Sequence, residues 1–158
     1  MESSRKAIIL HKSSWQKLHL QTCSLVSNIS GLTNSTNTNI QITSILKELD
    51  EYLVKFSQIA KETREIKKKA LEQFSSLSTK IEETDQKETT INKPFLNEND
   101  LTKLFQIKAI ANQIEQDLQT KEMIRNVLNN ETSEQSLVTI VRTWVAQPFL
   151  DKNNNFFN

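Results

Sequence analysis

Between Ile42 and Leu77 the chain reads ITSILKELDEYLVKFSQIAKETREIKKKALEQFSSL. Within it Ile42, Ile45, Leu49, Tyr52, Phe56, Ile59, Thr63, Ile66, Ala70, Gln73 and Leu77 advance by alternating steps of three and four residues. Five heptads of that period place one apolar stripe along a single helix face. A helix over 40–83 would be ~60 Å long, and a helix draws most of its stability from burying its apolar face, so other helices must cover it. The stretch therefore predicts an all-α fold: an elongated antiparallel helical bundle with coiled-coil-like packing.

The rest of the chain agrees with that reading. Among 158 residues there are one Gly and two Pro, too few breakers and left-handed positions for the tight turns of a β-rich fold. Ile8, Trp15, Leu18, Leu25 and Ile29, with His11 and Thr22 in the gaps, form the stripe of a first helix over 4–30 that Gly31 stops. Leu32 to Asn39, rich in Thr, Asn and Ser, is a connector, because such side chains compete with the backbone for hydrogen bonds. A second connector, a long loop or partly ordered segment from Glu82 to Asn99, breaks the pattern with charged and Thr-rich residues followed by Pro94-Phe95-Leu96.

Leu101, Leu104, Phe105, Lys108, Ala111, Ile114, Leu118, Lys121, Ile124 and Leu128 give the face of a third helix over 99–129. Thr132 with Gln135 has the spacing of a capping box for a short fourth helix over 133–146, with Leu137, Val141 and Trp144 on one face. It must end before Pro148, which disfavours helical geometry in the residue preceding it. One domain over 1–150, three long helices and a short C-terminal one, with a flexible tail over 151–158, is the expected organisation.

Helix lengths carry an expectation about binding. First and third helices of 40 to 45 Å would leave an end of the ~60 Å second helix over, so Phe74, Leu77 and Ile81 are a candidate docking strip unless another segment of the chain covers them. The other candidate is the corner Trp144-Val145-Ala146-Gln147-Pro148-Phe149. Trp144 fits a core stripe that anchors the short helix, while Pro148 fixes a turn that presents Phe149 at a defined angle.

Several chemistries are disfavoured. Positive and negative side chains nearly cancel, at a formal net charge of +1, so no global field draws polyanions. Lys61, Arg64, Lys67, Lys68 and Lys69 lie among Glu62 and Glu65 at ion-pairing spacings and lack interleaved aromatics, which suits a solvated helix face better than a nucleic-acid contact. His11, His19 and Cys23 are too few for a structural zinc site. His19 and Cys23, four residues apart, could meet for nucleophilic chemistry, but no oxyanion nest accompanies them, and a small core cysteine suits the position better. No P-loop, dinucleotide fingerprint or paired-carboxylate motif is present, so no catalytic residue, metal or cofactor is expected. A single cysteine and a short apolar patch at Ala7 to Leu10 point to a reducing compartment and no membrane segment.

Three stretches resemble the cyclin-dependent kinase 2-interacting protein (CINP) family: Ser14-Trp15-Gln16-Lys17-Leu18, Gln116-Asp117-Leu118 through Leu128, and above all Leu137 through Trp144-Val145-Ala146-Gln147-Pro148-Phe149. The last is the most specific, because the family pattern is a Trp, an apolar residue, a variable one, Gln-Pro and an aromatic. Order and approximate spacing are similar from about Arg5 to Asp151. The resemblance implies a small helical adaptor without enzymatic activity, nuclear and in part cytoplasmic, tied to replication kinases and the DNA-damage checkpoint. It also implies a subunit of an AAA+ ATPase complex acting in ribosome maturation and replisome turnover. The competing reading of the heptads is a structural coiled-coil subunit of a kinetochore or tethering complex.

Overall fold

The computed structural model describes residues 1–30, 32, 38–85, 98–129 and 132–146, and the side chains of all of these except 30, 38–39, 78–85 and 134. They form four helices: α1 (Glu2–Ser30), α2 (Thr38–Asp85), α3 (Glu98–Val127) and α4 (Glu134–Ala146). There is no strand among the described residues. The fold is an all-α bundle of three long helices with a short fourth, as the period predicts.

Polar contacts fix the direction and register of each pair. α1 runs antiparallel to α2: the Met1 amino group donates to Gln73 Oε1 at 3.1 Å, and ten residues further on His11 Nε2 lies 2.7 Å from Glu62 Oε2. α2 and α3 are also antiparallel, joined by Lys67 Nζ to Asn112 Oδ1, by Arg64 to Glu115, and by a two-pronged Arg125–Asp50 pair at 2.6 and 2.8 Å. α1 and α3 consequently run parallel. Arg5 bonds Gln106 and Trp15 bonds Asp117 at nearly constant separations of 101 and 102 residues.

The core is the seam where the three stripes meet. Ile8, Trp15, Val26, Leu49, Phe56, Ile107 and Ile114 are wholly buried in it. Each large apolar side chain taken from water there contributes roughly 1.5–3 kcal/mol, which is what holds a helix as long as α2 straight against its neighbours. The stripe of α1 is rotated slightly from the one read in the sequence: Val26 and His19 are buried, Leu18 and Leu25 are only partly so, and His11 faces Glu62 instead of filling the core.

α4 turns back and lies mainly on α1. The reversal is built by Thr132 and Ser133. The Thr132 hydroxyl donates to the Val127 carbonyl and accepts from the Asn129 amide, closing the open end of α3. Ser133, one residue later than the expected capping box, caps α4: its Oγ accepts from the Ser136 amide at 3.3 Å.

Candidate functional site

Where α1, α3 and α4 meet, the core contains charge. Lys121 and Asp117, one turn apart on α3, form an ion pair at 2.8 Å with both side chains 1 % exposed. The carboxylate oxygen that takes the lysine, Oδ2, also accepts the Trp15 indole N–H at 2.7 Å. The ammonium lies 4.9 Å from the centre of the Trp144 ring and 5.4 Å from that of Phe56, within cation–π range of both. Trp15 tilts onto Phe56 with ring centres 4.6 Å apart. Lys121 therefore has an anion on one side and aromatic faces on the others. Burial still pulls its pKa below the ordinary lysine value, against the opposing pull of Asp117.

α4 is tied into this centre through one side chain. Trp144 is buried, and its indole N–H donates to Thr22 Oγ1 at 3.0 Å, while that hydroxyl donates to the His19 carbonyl at 2.9 Å. Leu137, two turns earlier on the same face, is the other buried residue among the described side chains of α4. Trp144 thus occupies the core position that its stripe suggests, and the side chain is not offered to a partner.

His19 and Cys23 do meet, with Sγ 3.1 Å from Nε2, but the environment works against a nucleophile. Burial pushes the thiol pKa up, so the thiolate that would attack is disfavoured. Burial, helped by the charge of Lys121, lowers His19 to about 4, against weaker opposing pulls from Asp117 and the Val145 backbone. The histidine is neutral near pH 7, and Asp117 Oδ1 is buried without a hydrogen-bond partner among the described residues. No group of three His, Cys, Asp or Glu side chains is placed to hold a metal ion among the described residues. No helix among them is long and apolar enough to cross a membrane.

The two candidate docking surfaces are placed unequally. In the α2 strip, Phe74 is half-buried against the core and Leu77 is 41 % exposed beside a cleft of about 500 Å³ lined by Met1, Gln73 and Ser76. Ile81 lies outside the described side chains, and Gln147, Pro148 and Phe149 lie outside the described residues. The register places Met1 opposite Gln73, one turn before Leu77. Beside α4 is a cleft of about 660 Å³ lined by Val127, Asn129, Ser136, Thr139 and Ile140 among others, none of them charged.

The buried pair Asp117–Lys121 is what sequence reasoning missed. Lys121 was placed on the right face, where a lysine normally carries its charge out along the side of the helix. The available signal was a carboxylate four residues before it, at the edge of the same stripe. No family model matches the chain, and no curated protein or solved structure matches it.

Proposed function

We propose that this chain is a non-catalytic helical adaptor, resembling the CINP family, that docks on protein partners from the end of α4 and from the free end of α2. The observation that supports it best is the Trp144 anchor. The anchor bonds to Thr22 and stacks on Lys121, so the last described turn of α4, directly before the family-like Gln147-Pro148-Phe149, is held to the bundle. Holding the helix that precedes a docking segment lowers the ordering cost of binding, which is the advantage a rigid adaptor offers. The partners implied by the resemblance are subunits of an AAA+ ATPase complex in ribosome maturation and replisome turnover, together with replication kinases of the checkpoint, in the nucleus and in part the cytoplasm.

Affinity purification of the tagged full chain, with mass spectrometry, tests the reading. AAA+ ATPase subunits should co-purify, Phe149→Ala should reduce their yield at unchanged helicity, and Leu77→Ala should reduce it less. A chain that recovers no such subunits, or recovers them equally with both substitutions present, contradicts the proposal.

A further inference from the structure

The outward face of α3 carries a long stripe without charge in this charge-rich chain. Thr102, Phe105, Ala109, Asn112, Gln116, Thr120, Met123 and Val127 recur along it at steps of three and four, and none is charged. Phe105, Met123 and Val127 are 60 %, 68 % and 57 % exposed. The outward side of α2, over a similar length, carries Lys61, Glu62, Arg64, Glu65, Lys68, Lys69 and Glu72. Large exposed apolar groups on a face depleted of charge are the composition of an interface core.

The order of residues says what fits there. From Gln116 outward in either direction the stripe meets a small polar residue at four and apolar ones at seven and eleven: Asn112, Ala109 and Phe105 on one side, Thr120, Met123 and Val127 on the other. A sequence of spacings that reads the same both ways is self-complementary for a second copy laid antiparallel about a two-fold axis at Gln116. Phe105 then meets Val127 of the second copy, and Ala109 meets Met123, a small residue against a large one.

Charges on the rim obey the same symmetry. Lys108 and Glu122 lie on the flank of α3 nearer α2, eight residues before and six residues after Gln116, so about that axis they fall within one turn of each other. Each then meets the other across the two copies, giving two reciprocal ion pairs. Glu115, which would come near its own counterpart, is held by Arg64 at 3.3 Å and Lys67 at 4.0 Å, so its charge is offset within the chain.

We propose that two copies of the chain associate through the outward face of α3, antiparallel about Gln116. The stripe from Phe105 to Val127 is ~33 Å long and one helix wide, a small interface, so the dimer is micromolar and reversible. Its bundle cores remain intramolecular, which separates it from a coiled coil assembled between chains.

Sedimentation of the full chain over a concentration series, paired with cysteine cross-linking, is the test. A dimer should form with rising concentration. Met123→Glu should abolish it, and Lys108→Glu should weaken it about tenfold, with Lys108→Glu/Glu122→Lys restoring it. In a Cys23→Ala background, Gln116→Cys should give a covalent dimer on mild oxidation, whereas Ser13→Cys on α1 should not. A chain that stays monomeric at ~500 μM, where a micromolar dimer would be populated, overturns the proposal. So does a dimer indifferent to Met123→Glu and to both charge changes, since it uses another surface.

Discussion

The two ends of the bundle are built on opposite terms. At the end where α4 returns, four helices surround a buried ion pair, and every large side chain near it has a packing or hydrogen-bonding role: Trp15 on Asp117, Trp144 on Thr22 and Phe56 against Lys121. At the other end, past the Met1–Gln73 contact, the same heptad stripe ends on a half-buried Phe74 and a Leu77 that is 41 % exposed. Among the described residues one periodic pattern thus yields a closed core at one end and a partly covered strip at the other. The closed end fixes geometry, and the open end offers surface.

The largest effect should come from breaking the closed end by half. Lys121→Met leaves Asp117 buried without its counter-ion and with only the Trp15 N–H to satisfy it, and should lower unfolding free energy by ~3–5 kcal/mol in urea titrations. Asp117→Asn/Lys121→Met keeps an acceptor for Trp15 and removes both charges, so most of the loss should return. Trp144→Ala should cost about as much, ~3–5 kcal/mol, through the cavity left over Lys121 and Thr22. At the open end, Leu77→Ala should cost under ~1 kcal/mol, because much of that side chain is already in water.

Acid should discriminate the ends next. His19 has a folded pKa of about 4 against an unfolded value near 6.5, so the unfolded chain binds the extra proton first. Stability from this group is complete above pH ~6.5 and is lost as pH falls toward 4, by roughly 3 kcal/mol. His19→Leu should flatten that part of the pH–stability curve measured by denaturant unfolding. A curve unchanged by the substitution would mean that the ring protonates freely, and the closed end is open to water.

The smallest effect belongs to the surface. Arg125 grips Asp50 with two hydrogen bonds, but the carboxylate is half exposed, so Asp50→Ala should cost no more than ~1 kcal/mol, and less in high salt. A larger loss would show that the α2–α3 seam near the α4 end depends on this pair rather than on Leu46, Leu49 and Leu128.

The difference between the ends was only partly legible in the sequence. Heptads from Ile42 to Leu77 identify α2, because a period of three and four belongs to a helix and to nothing else over that length. Trp15 and Trp144 read as core for the same reason. Legibility stops where burial contradicts residue type: a lysine on an apolar stripe normally sends its charge to the rim, and nothing local says that Asp117 and two aromatic rings will hold Lys121 inside. His19 and Cys23 were recognisable as a contact by spacing alone, but the shift of both pKa values away from reactivity comes first from burial, and long-range packing is not written in a local pattern. The uncharged face of α3 was readable from Thr102 to Val127, and it emerges only when outward residues are given the same scrutiny as the core.

Native-state amide hydrogen exchange tests most directly the claim that Trp144 locks α4 onto a closed end. Amides from Leu137 to Trp144 should exchange with protection comparable to that of α1 around His19 and α3 around Lys121, and Trp144→Ala should release the α4 set while α1 to α3 stay protected. If α4 amides exchange like a short solvated helix in the unaltered chain, while the three long helices remain protected, α4 is not a fixed arm and the account is contradicted.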